Sequence, residues 1–62
     1  MRRSRDGGYE IRPKRHAPPF DNWIDFQIFI EGVYVGEEMT FDSASREAKN
    51  LVAAYRRGEL KL

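Results

Sequence analysis

The run from Trp23 to Phe41 limits the fold more than any other stretch of this chain. Ile24, Phe26, Ile28 and Ile30 alternate with Asp25, Gln27, Phe29 and Glu31, and a period of two sends every second side chain to one face, as in a strand half covered by a core. Such a strand needs a neighbour. Glu31-Gly32 fits a two-residue turn into a second strand, which sets Ile30 opposite Val33, Phe29 opposite Tyr34, Ile28 opposite Val35 and Gln27 opposite Gly36. Phe26, Ile28, Ile30, Val33 and Val35 then share one face, and Phe29 and Tyr34 form a cross-strand aromatic pair on the other. Gly36 is a site for a bulge that returns Met39 or Phe41 to the core side.

After the hairpin, Asp42-Ser43 offers helix-capping side chains, and Ala44, Ala48, Leu51, Val52 and Tyr55 follow at helical spacing until Gly58 ends the run. The spacing predicts one amphipathic helix over about residues 44–57. At about 100° per residue, Arg46, Lys49, Arg56 and Arg57 fall opposite the apolar stripe. Ahead of the hairpin, Tyr9-Glu10-Ile11-Arg12 alternates and can add a third strand, but only at an edge, because Pro13 lacks a ladder N–H. His16-Ala17-Pro18-Pro19 reads as an extended, polyproline-like connector and Phe20-Asp21-Asn22 as a turn. Residues 1–8, MRRSRDGG, hold no apolar residue after the start, so a disordered basic arm is expected there and one domain over residues 9–62. The expected fold is α+β: an antiparallel sheet of two or three strands built on a hairpin at about residues 23–41, packed by one C-terminal helix. Its expected core is Ile24, Phe26, Ile28, Ile30, Val33, Val35, Phe41, Ala48, Leu51, Val52 and Tyr55, with Leu60 and Leu62 folding back onto the sheet edge or fraying.

With 62 residues and no cysteine, the chain has room for one small domain and no disulfide to staple it. Marginal stability is expected, and a homodimer would relieve it. No apolar run, Ile28-Phe29-Ile30 in the strand included, approaches the roughly 20 residues a membrane helix needs, so a soluble, cytoplasmic protein without membrane contact is expected. Catalysis needs converging groups of tuned acidity, and none is visible. Glu37 and Glu38 are adjacent on a strand and point to opposite faces; the single histidine, His16, reads as a surface residue beside Lys14-Arg15; and Gly7-Gly8 precede a strand, so they cradle no phosphate at a helix start. No enzyme, no cofactor and no metal site is expected.

Charge is more informative. The net +1 hides six bases and two acids in residues 1–16, six acids and no base in residues 17–45, and five bases and two acids in residues 46–62. Local clustering of this kind, more than the sum, sets a surface field. Two binding surfaces follow. Arg2, Arg3, Arg5, Arg12, Lys14 and Arg15 in the first block, with Arg46, Lys49, Arg56 and Arg57 on the helix, suit the phosphates of nucleic acid. Trp23, Phe29 and Tyr34, rimmed by Asp25, Gln27, Glu31 and Glu38, would stand on the sheet side away from the helix and suit a protein partner, unless residues 9–12 cover them.

Phe26, Ile28, Ile30, Gly32, Phe41, Ser43, Glu47 and Ala48 together form an alternating strand, a glycine turn, a second strand ending in Thr40-Phe41, a serine cap and a helix opening near Glu-Ala. This string resembles the small three-stranded-sheet-plus-helix domains, arm-type and AP2-like, that open many tyrosine recombinases. The resemblance covers roughly the second half of the chain and implies a sheet that lies in a DNA groove. The spacing from Phe41 to Glu47 is one residue longer than in that family, and the strands carry acids where the family carries bases. A free-standing domain of this kind is similar to small products of phages and mobile elements, which include DNA-architectural factors and inhibitors such as anti-CRISPRs. The expected function is a nucleic-acid-binding accessory protein, with a protein-binding inhibitor or adaptor as the alternative.

Overall fold

The computed structural model describes residues 8–62. Strands β1 (Tyr9–Arg15), β2 (Ile24–Ile30) and β3 (Val33–Glu38) precede helix α1 (Phe41–Arg56). The strands form one antiparallel sheet in the order β1-β2-β3, and α1 packs across one of its faces, so the architecture is the expected α+β arrangement with three strands. β1 runs three residues further than Arg12, through Pro13, and pairs along its whole length from Tyr9↔Ile30 to Arg15↔Ile24. Pro13 is tolerated because β1 is an edge: its nitrogen faces away from the ladder. β1 therefore widens the sheet and does not lie over its open face.

The β2–β3 turn is the two-residue turn read from Glu31-Gly32. Both residues have positive φ, 54° and 80°, the pair of left-handed conformations that matches the twist of the flanking strands. Ile30↔Val33 and Phe29↔Tyr34 pair as expected. Beyond them the register differs, because Ile28 pairs with Gly36 and Gln27 with Glu37. Val35 is thus the extra residue of a bulge, one position earlier than the expected site at Gly36. A one-residue shift exchanges the two faces for everything that follows, so Glu37 joins Gln27 on the open face and Glu38 joins Phe26 on the helix side. The bulge brings neither Met39 nor Phe41 into the core, and these remain 61% and 56% exposed.

Helix α1 starts three residues before the expected position. Thr40, at φ −130° and ψ 155°, is the N-cap, and its hydroxyl accepts the Ser43 N–H at 3.1 Å. Asp42 and Ser43 lie inside the first turn, where the Asp42 carboxylate faces the positive end of the helix dipole. At the other end Gly58, at φ 78°, donates to the Tyr55 carbonyl at 3.1 Å and Glu59 to the Ala54 carbonyl at 2.8 Å. This is the Schellman termination for which a glycine at C′ is selected.

Ala44 and Ala48, one turn apart along α1, lie against Ile28, and Ile30 and Val52 are buried as well. Two alanines let the helix axis come close to the strand, and Tyr9, Ile11, Phe26, Val35 and Leu51 close the edges of the cluster. Val33 and Phe41 were expected in the core, but Val33 is 41% exposed at the end of the sheet, and Phe41 touches Phe26 edge-on at 6.1 Å from the rim. Leu60 is half-buried and Leu62 is exposed. The β1–β2 connector is not an extended polyproline segment. The Phe20 N–H donates to the Ala17 carbonyl at 2.9 Å and the Trp23 N–H to the Phe20 carbonyl at 3.0 Å, closing two consecutive turns around a cis Pro18–Pro19 bond.

Candidate functional site

The sheet face opposite α1 is uncovered, and its side chains follow from the register. Three rows cross it: Glu10, Phe29 and Tyr34; then Arg12, Gln27 and Glu37; then Lys14 and Asp25. Phe29 and Tyr34 meet edge-on at 6.0 Å between ring centroids, as the alternation implied. Arg12 folds back along its own strand, donating from Nε and Nη2 to the two Glu10 oxygens at 2.8 and 3.1 Å and laying its guanidinium 4.3 Å over the Phe29 ring. The Glu10 hydrogen bond raises the Arg12 pKa above its ordinary value. Arg12 is thus the lid of an aromatic cluster and not a free phosphate contact. Tyr34, half exposed, donates its hydroxyl proton to Glu37 at 2.8 Å, and that bond raises the phenol's pKa.

At the far end of the face Asp25, expected on the rim of the aromatic patch, is only 8% exposed. His16 Nε2 lies 2.8 Å from Asp25 Oδ2, and the indole N–H of Trp23 donates to Oδ1 at 3.1 Å. Buried charge persists only when its lone pairs are satisfied. The His16 hydrogen bond, ahead of those involving Glu37 and Trp23, holds the Asp25 carboxyl below the usual carboxylate range, although burial acts the other way. His16 therefore has the orienting carboxylate that its sequence neighbours did not suggest. Among the described residues no three His, Asp or Glu side chains converge as a metal site. Asn22, Trp23, Ile24 and Met39 line a shallow depression of about 260 Å³ beside this cluster, below the 300–1,000 Å³ typical of ligand pockets.

Of the residues expected on the aromatic face, Trp23, Asp25, Gln27, Phe29 and Tyr34 are brought together there, Glu31 sits in the adjoining turn, and Glu38 lies on the other side, where the bulge has put it. Glu10, His16 and Glu37 belong to the face and were not singled out. The signal for Glu10 was its alternation with Arg12. None existed for His16 and Asp25, which are joined by the connector's turns alone.

The expected basic residues divide. Arg2, Arg3 and Arg5 lie outside the described residues. Lys14 and Arg15 are exposed at the end of β1, and Arg46 and Lys49 on the outward side of α1. Arg57 forms a two-point ion pair with Glu59, at 3.0 and 2.9 Å, which raises the Arg57 pKa and lowers that of Glu59. Arg56 lies against the start of β1, where a Cβ on Gly8 would stand 3.4 Å from its Nη2. No helix among the described residues is long and apolar enough to cross a membrane. Compared with known protein families, curated proteins and solved structures, the chain matches none.

Proposed function

We propose that this chain is a non-enzymatic module that binds nucleic acid through the phosphate backbone, an accessory protein of the kind phages and mobile elements encode. The observation that carries the reading is the exposure of Lys14 and Arg15 at the end of β1 and of Arg46 and Lys49 on α1. Arrangement matters here because the sum is unhelpful: of 11 bases and 10 acids, three and one precede Gly8, which leaves eight bases against nine acids in residues 8–62. The resemblance to the recombinase domains supports nucleic acid as ligand but not their mode of contact. Glu10, Asp25 and Glu37 on the sheet face would meet phosphates at close range, whereas the β1 edge and the helix present bases.

The test is a titration with mixed-sequence duplex and single-stranded DNA at about 50 and 200 mM salt. Binding should weaken steeply with salt, and replacing Arg2, Arg3 and Arg5 by Ala should reduce the log–log salt slope by about three. A salt-insensitive affinity, or a slope unchanged by the triple replacement, refutes this reading. A second reading, a protein-docking adaptor or inhibitor, is favoured by the uncovered aromatic face, whose polar groups are already paired and so lose little on desolvation.

A further inference from the structure

We infer that the open sheet face is the docking surface for a second copy of this chain, packed face to face about a two-fold axis parallel to the strands. The inference rests on the second reading above, in that the open face takes protein, and shares only Lys14 with the nucleic-acid reading. The face is polarised across its width. On this side β1 carries Glu10, Arg12 and Lys14, with Arg12 paired to Glu10, which leaves β1 a net positive charge, and Glu37, the one charged group of β3 on this side, stands on the opposite edge. A two-fold parallel to the strands lays β1 of one copy over β3 of the other and keeps the rows level, so Arg12 comes over Glu37 of the second copy with Lys14 one row away, and the reverse. A two-fold across the strands lays β1 on β1 and β3 on β3; centred on the middle row it sets Arg12 on Arg12 and Glu37 on Glu37, which outweighs the approach of Lys14 to Glu10. Electrostatic complementarity selects the first arrangement. Asp25, which would meet its own copy at the centre, is held beneath His16 and Trp23 and presents no bare charge.

Size argues for the same occupant. Among the described residues only Ile28, Ile30, Ala44, Ala48 and Val52 are buried hydrophobics, and domains this small commonly complete their core by association. Aligned sheets pack about 10 Å apart, which would enclose Phe29 and Tyr34 from both copies. Three strands at about 4.8 Å spacing and seven residues at about 3.4 Å per residue give a footprint of roughly 340 Å² per copy, small for a permanent dimer. The association is therefore weak and concentration-dependent.

Sedimentation of the full chain from about 10 μM to 1 mM, without nucleic acid, tests this. At 50 mM salt the mass should rise from that of the monomer towards twice it, and 500 mM salt should move the transition to several-fold higher concentration. Lys14→Glu and Glu37→Lys, each checked for native circular dichroism, should each stay monomeric. Mixed in equal amounts they should form a heterodimer, because both cross-copy pairs are then opposite in sign, and the double variant should dimerise again. A wild-type dimer indifferent to both reversals overturns the arrangement, as do single variants that fail to combine. A wild type that remains monomeric at 1 mM while acrylamide still quenches Trp23 overturns the second copy and leaves the face open to another protein. Trp23 shielded from quencher in that monomer overturns the docking reading as well.

Discussion

Ile28 and Val33 both fall on the apolar side of the alternating hairpin, and replacing each in turn separates a pattern from a packed core. Ile28 is 0% exposed, enclosed by Ala44 and Ala48 across the sheet, whereas Val33 is 41% exposed. Ile28→Val removes one methylene, worth about 0.8 kcal/mol of transfer plus a cavity contribution. Ile28→Ala removes three carbons, or about 2.4 kcal/mol of transfer, and reaches about 3–5 kcal/mol with the cavity that two facing alanines are too short to fill. A domain of this size has about 3–5 kcal/mol of stability in all, so the alanine variant should be largely unfolded at 25 °C. The valine variant should fold, with a melting temperature lower by about 4–8 °C per kcal/mol lost. Val33→Ala removes two carbons that are nearly half in water already and should cost under about 1 kcal/mol. Urea denaturation followed by far-ultraviolet circular dichroism and by Trp23 fluorescence gives all three values. The placement of the core fails if Ile28→Ala retains a cooperative transition near that of the wild type, or if Val33→Ala costs as much as Ile28→Ala.

Three further outcomes follow from individual contacts. Thr40→Ala should cost about 1 kcal/mol through loss of the N-cap, and Ser43→Ala much less, with urea midpoints deciding between the two positions. Glu31→Asn should stabilise the hairpin by about 0.5–1 kcal/mol, because asparagine tolerates the left-handed conformation that glutamate is held in; an unchanged or lower midpoint refutes the turn geometry. The Asp25 carboxyl titrates below its unfolded value of about 3.9. Its ionised form therefore adds stability that is fully present above that pH and is lost as pH falls through the folded value. Asp25→Asn should flatten the acid limb of a stability profile between pH 5 and about 2, and an acid limb as steep as that of the wild type would show that the His16–Asp25–Trp23 cluster is not formed.

Local periodicity is independent of what packs where, and for that reason the strand pair, its two-residue turn, the helix and the Phe29–Tyr34 pair are legible from residue order alone. Alternation over Ile24, Phe26, Ile28 and Ile30 admits one secondary structure, and Gly32 and Gly58 occupy conformations that few other residues adopt. The same reasoning assigned the cap to Asp42-Ser43 and not Thr40, because all three side chains can cap and only the path of the chain leaving β3 decides which hydroxyl reaches a free N–H.

Other features exist only in three dimensions. The bulge at Val35 is set by how β3 must bend to deliver α1 onto the sheet, and that single extra residue exchanged Glu38 for Glu37 on the open face. The polyproline reading of residues 16–19 failed because two turns draw His16 back to Asp25, nine positions away, and neither residue carries a local mark of the other. Charge was legible as blocks along the chain but not as a surface: antiparallel pairing set Arg12, Lys14 and Arg15 along the β1 edge and left Glu37 and Glu38 of β3 at the opposite edge. Hydrophobic spacing acts over a few residues and is written in the sequence. Register, cap choice and the meeting of distant charges depend on where whole elements come to rest, and only the folded chain decides them.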